Sequence, residues 1–118
     1  MQLISINVGK AQPIKAKSGQ SGIYKMPVSG RVQVTALGLV GDAICDVESH
    51  GGVDQALYVF GTRDYEWWSR ELGQALAAGT FGENLTISDL ESAEFCIGDR
   101  LRVGNRVSIR CRCRGGYK

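Results

Sequence analysis

The residue types best suited to chemistry gather around the only histidine of the chain. His50 is followed by Gly51 and Gly52 and, two positions later, by Asp54. Consecutive glycines let backbone amides approach a ligand closely, and an imidazole donates or accepts a hydrogen bond near neutral pH. The combination indicates a ligand site. On composition alone, a simple turn with a histidine bonded to a neighbouring carbonyl is an equal alternative.

A second candidate loop carries an acid beside an amide. Glu83 and Asn84 follow Gly82 and precede a predicted strand. An Asn side chain can pair with the edge of a heterocycle through both donor and acceptor, and a Glu can orient such a ring or move a proton. Taken alone, this segment is usually a turn with a solvated Glu. Two such loops at equivalent ends of strands would share one pocket.

Two thiols near the end of the chain form a third candidate group. Cys111 and Cys113 flank Arg112. Nearby arginines favour the thiolate, which is the better nucleophile and the better soft-metal ligand. The alternative is a pair of buried strand thiols, because period-two alternation points both the same way. A zinc site is disfavoured, since the chain has no C-x-x-C pair.

The elements that must position these residues are mainly strands. Short, closely spaced apolar segments with little helix between them favour a barrel or a sandwich over a parallel sheet. Gly104-Asn105 predicts a tight hairpin between the last two strands. The predicted strands are Leu3–Val8, Ile14–Lys17, Ile23–Met26, Arg31–Thr35, Leu85–Ile87, Arg100–Val103 and Val107–Arg110.

One helix interrupts this pattern, over residues 63–72. Thr62 is the predicted N-cap, and Gly73 supplies the stop. Three side chains at helical spacing predict a stripe that packs into the core: Tyr65, Trp68 and Leu72. A further short turn of helix is predicted over 75–79.

Length and composition limit the class of protein. The 118 residues allow one domain, and 43% hydrophobic with 22% charged residues is ordinary for a globular protein and excludes a disordered or fibrous one. No apolar run approaches the length that spans a bilayer, and the alternating N-terminal residues do not resemble a signal peptide. We therefore expect a cytoplasmic protein with reduced cysteines and no membrane partner.

The charge is distributed unevenly. Residues 1–99 hold seven basic and twelve acidic residues, a net charge of −5, whereas residues 100–118 hold seven basic residues and no acid. A basic end is typical of an anionic partner. The acidic body would repel a duplex elsewhere, so we expect no nucleic-acid partner.

Four segments taken in order resemble the MOSC domain family, named for the C-terminal domain of molybdenum cofactor sulfurases. The similarity is greatest to its small stand-alone bacterial branch, and it covers residues 1 to about 107. Each motif is weak alone, but together they are specific. They are Gly38–Asp42, His50–Tyr58, Phe81–Leu85 and Cys96–Gly104.

The resemblance implies one MOSC domain over residues 1–118, a mainly β, barrel-type fold with one or two short helices, and a molybdopterin-type molybdenum cofactor. Family members either carry sulfur for cofactor maturation or use bound molybdenum to reduce N-hydroxylated compounds. The expected partners are therefore a small-molecule cofactor and substrate. Carried over position by position, the cofactor-binding set is His50, Gly51, Gly52, Asp54, Glu83 and Asn84.

The end of the chain departs from the family pattern. That pattern continues into a segment of the type Q-P-R-x-P-C, whose Cys is the molybdenum ligand or sulfur carrier, but here no proline is present. Cys113 lies nearest the expected place and Cys111 next, so both are candidate catalytic thiols, with Cys113 the candidate molybdenum ligand. Residues 108–118 are atypical and predict a truncated or frame-shifted end. The alternative is a non-catalytic MOSC remnant that forms a homodimer through an open strand edge.

Overall fold

The described part of the chain consists mainly of short strands around one helix. The computed structural model describes residues 1–13, 20–22, 24–43, 52, 55–104 and 107–111. The radius of gyration, 13.9 Å, is close to the ~13.5 Å of a compact chain of this length. The elements in chain order are β1 Leu3–Gly9, β2 Gln12–Pro13, β3 Gln20–Ser21, β4 Lys25–Pro27, β5 Val34–Thr35, β6 Gly38–Leu39, β7 Val59–Gly61, α1 Thr62–Leu72, β8 Leu85–Ile87, a short 3-10 helix Ser92–Glu94, β9 Arg100–Val103 and β10 Val107–Arg110.

The largest sheet has four strands in the order β4-β1-β8-β7. β1 pairs antiparallel with both β4 and β8, while β7 and β8 run parallel. Parallel neighbours require a crossover connection, and α1 lies in the segment that joins β7 to β8. The strands β2–β3, β5–β6 and β9–β10 form three antiparallel pairs. Because no sheet closes on itself among the described strands, the barrel stays a prediction.

The core is centred on β8 and the residues that follow it. Leu85, Ile87 and Leu90 form its buried cluster, with at most 5% of each side chain exposed. Partly buried apolar residues from β1, β7, the β9–β10 hairpin and the segments just before β7 and β9 pack against this cluster, so the hairpin is docked on the core around β8. They are Ile6, Leu57, Val59, Phe95, Leu101, Val103 and Ile109.

The helix agrees with the predicted range but not with the predicted cap. Thr62 is its first residue, and the N-cap is Gly61, which offers no side chain to bond. A Cβ on Gly61 would lie 1.7 Å from the Leu90 carbonyl oxygen, so close packing requires glycine there. Gly73 ends the helix as predicted, with φ of 68°. Leu72 is 53% exposed and does not belong to the core stripe.

The strands confirm most of the sequence pattern. The predictions for β1, β8, β9 and β10 hold to within one residue. The segment 31–35 is strand only over Val34–Thr35, β4 begins at Lys25, and residues 75–79 are not helical, so the short second helix predicted there is wrong. The predicted strand Ile14–Lys17 lies outside the described residues. Over the described ranges, no helix is both long and apolar enough to cross a membrane.

Candidate functional site

Asn84 joins two parts of the chain that lie on either side of residues 44–54. Its Nδ2 donates to Oδ2 of Asp42 at 2.8 Å, and its Oδ1 accepts the backbone N–H of Tyr58 at 3.0 Å. The backbone N–H of Asn84 also donates to the Tyr58 carbonyl at 2.8 Å. Asn84 therefore holds together the two described ends of the segment that contains His50.

Asp42 and Lys25 form a buried ion pair beside this amide. Nζ of Lys25 donates to Oδ1 of Asp42 at 2.6 Å, and their side chains are 6% and 4% exposed. The same carboxylate oxygen accepts the backbone N–H of Gly9 at 2.9 Å, and Nζ also donates to the Ala43 carbonyl at 3.0 Å. Buried charges need such partners, because an unpaired charge in an apolar environment is strongly destabilising.

Glu83 points into the protein and away from solvent. The residue is 0% exposed, and its carboxylate accepts a hydrogen bond from the hydroxyl of Tyr65 on α1. Burial raises the pKa of Glu83, while the Tyr65 hydrogen bond and nearby backbone N–H groups oppose that rise. Burial also raises the pKa of Tyr65, followed by its hydrogen bond to Glu83. The carboxyl group of Glu83 is therefore covered by protein and bonded to the helix.

An aromatic cluster fixes the position of the Tyr65 hydroxyl. The Tyr65 ring packs edge-on against Phe60 at 5.3 Å between centroids and lies 5.2 Å from the Phe81 ring. Phe60 is in β7 and Phe81 lies in the turn before Glu83. The helix, the strand and the turn are therefore packed together around the Tyr65 ring.

Asn7 of β1 completes the buried network. Its Nδ2 donates to the Glu83 carbonyl at 3.2 Å and to the Thr86 hydroxyl oxygen at 3.1 Å. Its Oδ1 accepts the Ser5 hydroxyl at 2.7 Å, and its backbone N–H donates to the Asn84 carbonyl at 2.7 Å. No buried polar side-chain atom of the described residues lacks a hydrogen-bond partner. We call this set the polar hub: Asn7, Lys25, Asp42, Tyr65, Glu83, Asn84 and Thr86.

Four members of the polar hub were not identified from the sequence as part of a site or motif. They are Asn7, Lys25, Tyr65 and Thr86, and each carries a polar group and is buried. The signal available for Lys25 and Asn7 was a polar residue inside a short strand between apolar neighbours. Polar groups in such places are usually bonded inside the fold.

Only some of the remaining candidate residues lie within the described part of the chain. Gly52 is exposed with φ of 75°, and its carbonyl accepts the Gln55 N–H at 3.2 Å, as in a turn. His50, Gly51, Asp54 and Cys113 lie outside the described residues. The expected meeting of His50 and Asn84 at one pocket therefore stays a prediction. The structure does bring the Gly38–Asp42 motif and the Phe81–Leu85 motif into direct contact.

Two of the described cysteines lie at the open end of the β9–β10 hairpin. Cys111 is half-buried and Cys96 is exposed. The backbone N–H of Cys111 donates to the Asp99 carbonyl at 2.8 Å, and the N–H of Gly98 donates to the Cys111 carbonyl at 2.8 Å. Among the residues that the structure describes, no three metal-ligating side chains of His, Cys, Asp or Glu come together.

Two depressions follow the surface of α1. One of about 360 Å³ is lined by side chains that include Arg63, Trp67 and Glu91, and one of about 560 Å³ lies beside Tyr65 and Leu76. None of the candidate residues that the structure describes lines either depression.

Comparisons with known proteins agree on one family. The model of the MOSC domain matches residues 46–115. The chain is 35% identical over 107 residues to the uncharacterized protein YflK of Bacillus subtilis, covering 89% of this chain and 48% of YflK. It is 34% identical to the protein YiiM of Escherichia coli, covering 88% of this chain and 47% of YiiM.

More distant matches extend this picture. A protein of Gibberella moniliformis named "Reductase" is 31% identical over 92 residues, which cover 75% of this chain and 16% of that protein. The crystal structure of YiiM from Geobacillus stearothermophilus matches with a TM-score of 0.60 and 31% identity, over 84% of this chain and 44% of that one. The chain thus spans slightly less than half the length of YflK and YiiM.

Proposed function

We propose that this chain, which belongs to the MOSC domain family, binds a molybdopterin-type molybdenum cofactor together with a small-molecule substrate. The matched range, residues 46–115, contains every candidate site residue that the sequence analysis named. Within that family role we propose either sulfur carriage for the cofactor or reduction of N-hydroxylated compounds by the bound molybdenum. The relative named "Reductase" supports the second activity.

One observation carries the proposal. The side chain of Asn84 bonds to Asp42 on one side of residues 44–54 and to Tyr58 on the other. Holding both ends of a segment lowers the entropy cost of ordering that segment around a ligand. We propose that His50, Gly51, Gly52 and Asp54 bind the cofactor from that segment.

In this proposal Glu83 and Asn84 shape the site from behind and do not touch the cofactor. Both are nearly sealed from solvent, and their polar atoms bond to protein groups. Glu83 connects the turn to α1 through Tyr65, and Asn84 closes the segment that contains His50. A ligand then meets the segment rather than the acid and the amide that support it.

The thiol chemistry of the chain fits a molybdenum centre. Molybdenum in a sulfur-rich cofactor takes soft thiolate ligands, and Cys111 is a half-buried cysteine that directly follows β10. Cys111, or Cys113 beyond the described residues, would hold the metal. When bound, the cofactor would supply two-electron redox chemistry or a site for transferable sulfur. The protein would fix the thiolate through the backbone bonds of Cys111 to the turn before β9.

We also propose that the four sheets are parts of the barrel-type fold that the family resemblance implies. The β9–β10 hairpin already packs on the β8 core through Leu101, Val103 and Ile109. The match in fold to YiiM of Geobacillus stearothermophilus, at a TM-score of 0.60, supports a shared framework.

Metal analysis and pterin fluorescence test this function directly. The full chain is expressed in a host that makes the molybdenum cofactor, and molybdenum per chain is measured by mass spectrometry with the pterin measured by fluorescence. We expect near-stoichiometric molybdenum and pterin. Protein from an otherwise identical host that cannot make the cofactor should contain neither, and equal molybdenum from both hosts would reject the function.

Two substitutions then assign the metal-binding thiol. Of the two variants Cys113→Ala and Cys111→Ala, we expect only the one that removes the metal-binding thiol to lose molybdenum. Ser108→Ala, on the exposed side of β10, is the matched control and should retain full occupancy. Equal retention in both cysteine variants would rule out a thiolate ligand.

A second candidate function rests on the exposed strand β4. β4 is an edge of the four-stranded sheet, and Tyr24 and Met26 beside its buried Lys25 are 51% and 69% exposed. Among the described strands β4 pairs only with β1, and an edge strand with exposed apolar side chains favours pairing with another copy of the chain. In this alternative the chain is a non-catalytic interaction module. Light scattering after size exclusion should then show a dimer that Met26→Lys converts to a monomer.

A further inference from the structure

The outer face of the β9–β10 hairpin carries a cluster of arginines. Arg100 and Arg102 of β9 and Arg110 of β10 are exposed, while the alternate residues of both strands are half-buried. The strand register places Arg100 directly across from Arg110, and Arg102 across from Ser108. We call Arg100, Arg102 and Arg110 the arginine face.

The charges of the arginine face are not offset by acids of the described residues. Within the part of the chain that the structure describes, the ion pair is that of Lys25 with Asp42, and the arginine face takes part in none. The acid next to it in sequence is Asp99, whose Oδ2 instead accepts the Cys96 N–H at 2.9 Å. The arginine face is therefore a positive surface that lacks a described carboxylate partner.

This arrangement is unfavourable for the hairpin alone. Like charges at opposed positions destabilise an antiparallel pair, and Arg100 and Arg110 occupy such positions. Residues whose placement opposes the stability of the fold are expected mainly at functional sites. The opposed arginines therefore separate a binding surface from an ordinary solvated face.

The spacing of the arginines fits carboxylates on an extended segment. Opposed residues of an antiparallel pair have Cα atoms about 4.5–5.5 Å apart, so one carboxylate can accept hydrogen bonds from both Arg100 and Arg110. Arg102 lies two residues along β9, about 6.6 Å from Arg100, and alternate side chains of any extended chain repeat at this distance. A segment of the type Asp-x-Asp therefore presents its carboxylates at a matching interval.

Nucleic acid fits this surface less well than an acidic peptide does. Single strands bind by stacking their bases on aromatic rings, whereas the four exposed positions of the two strands hold only arginine and serine. A duplex would extend beyond the ~13 Å length of a four-residue strand and approach the rest of the chain. Residues 1–99 hold seven basic and twelve acidic residues, which would repel it.

We propose that the arginine face is a docking surface for an extended acidic segment of a partner protein, whose carboxylates pair with Arg100, Arg102 and Arg110. Arginine clusters recognise acidic motifs, because a guanidinium group can donate to one carboxylate through two parallel N–H groups. The candidate cofactor residues and the cysteines are not part of this surface. The inference therefore goes beyond the proposed function and does not depend on it.

Fluorescence anisotropy with a defined peptide tests the docking. The probe is a fluorescein-labelled peptide of about eight residues in which Asp alternates with Ser, which is long enough to cover one strand of the hairpin. We expect it to bind the full chain at low salt and to bind more weakly as salt rises, because exposed charges are screened. The same peptide with Asn in place of Asp should bind at least about tenfold more weakly. Equal binding of the two peptides would overturn the proposal.

Charge variants test whether the peptide binds at the hairpin. Arg100→Gln and Arg102→Gln should each weaken binding of the Asp peptide by about threefold. Arg70→Gln, which removes an exposed arginine from α1, is the matched control and should bind as the original chain does. If Arg70→Gln weakens binding as much as Arg100→Gln does, the peptide responds to overall charge and the arginine face is not a specific surface.

The opposed pair gives a test that loss of folding cannot imitate. Arg110→Glu places an acid across from Arg100, which should stabilise the hairpin and also occupy the position of the incoming carboxylate. We expect a higher Tm together with at least about tenfold weaker binding of the Asp peptide. Unchanged binding in this variant would reject the docking surface.

Two further measurements identify the kind of partner. A thymidine oligonucleotide of similar net charge should bind more weakly than the Asp peptide, and tighter binding that Arg100→Gln weakens would assign the surface to nucleic acid. Light scattering without peptide should show no dimer that depends on Arg102. A dimer that Arg102→Gln converts to a monomer would assign the acidic partner to a second copy of this chain. Either of these results would overturn docking of a separate acidic protein.

Discussion

The polar hub and the β9–β10 hairpin solve opposite problems with the same kind of short strand. The hub buries charged and amide groups, including a Lys25–Asp42 pair and the fully covered Glu83, and bonds them within the protein. The hairpin leaves its charges exposed and packs one apolar face on the core through Leu101 and Ile109. The loop that carries Glu83 and Asn84 is therefore bonded within the fold, whereas Cys96 is exposed on the turn before the hairpin.

The difference predicts how each region responds to substitution. In the hub, removing one partner leaves the other buried and unpaired, which costs far more than the hydrogen bond itself contributes. In the hairpin, exposed groups can be changed with little cost, and only the inward face is sensitive.

The largest expected effect is at Lys25. Lys25→Met leaves the Asp42 carboxylate buried without its cation, and we expect a loss of about 3–5 kcal/mol in the free energy of unfolding. Urea denaturation followed by fluorescence of Trp68 and its neighbours measures it. Lys10→Met removes an exposed lysine and should change stability by less than about 0.5 kcal/mol. Similar values for the two variants would mean that the hub is no more sensitive than the surface.

The second effect concerns the contact between helix and turn. Tyr65→Phe removes the hydroxyl that donates to Glu83 and keeps the ring within its aromatic cluster. We expect a loss of about 2 kcal/mol by the same measurement, because the carboxylate keeps its burial and loses a donor. Tyr24→Phe, at an exposed tyrosine, is the control and should be neutral. A neutral Tyr65→Phe would show that Glu83 does not depend on the phenol.

A pH series sharpens the contrast between the two regions. Because burial raises the pKa of Glu83 above its ordinary 4.5, the folded protein holds this proton more tightly than the unfolded chain. The stabilisation it gives is complete below about pH 4.5 and is lost as pH rises through the raised pKa. We therefore compare the free energy of unfolding of the original chain with that of Glu83→Gln. The difference between them should fall as the pH rises from about 4 to the raised pKa, and should be constant above it.

The matched control for that series lies in the hairpin. Ile109→Val removes one methylene group from the half-buried face and changes no titratable group. Its stability difference from the original chain should stay constant over the same pH range. If the stability difference between the original chain and Glu83→Gln does not change with pH, the pKa of Glu83 is the same in the folded and unfolded states.

The hairpin shows what alternation alone can predict. The sequence predicts its two strands to the residue, and the exposure of Ser108 and Arg110 opposite half-buried Val107 and Ile109 follows the period of two. The pattern is predictive because successive side chains of a strand point to opposite faces of the sheet, and only one face of the hairpin packs on the core. The same rule accounts for Cys111, which lies two residues after Ile109 and is half-buried as well.

The hub shows where that reasoning stops. In β1 the polar face, with Asn7 fully covered, is buried at least as deeply as the apolar face, and Ile4 is 55% exposed. Alternation predicts which residues of a strand share one face of the sheet. It does not predict which of the two faces is the more buried when the strand is paired on both sides, as β1 is. Lys25 was not identified because its partner, Asp42, is seventeen positions away. Long-range polar pairs depend on the topology, which composition does not determine.

The smallest expected effect should have the opposite sign. In the hairpin, Arg110 lies directly across from Arg100 on the exposed face, and like charges in opposed positions destabilise an antiparallel pair. Arg110→Glu turns this into an attractive pair and should raise the free energy of unfolding by about 0.5 kcal/mol. The gain should shrink at high salt, because exposed charges are screened. Arg110→Gln, which only removes the repulsion, should give a smaller increase, and equal gains from both variants would mean that the new pair does not form.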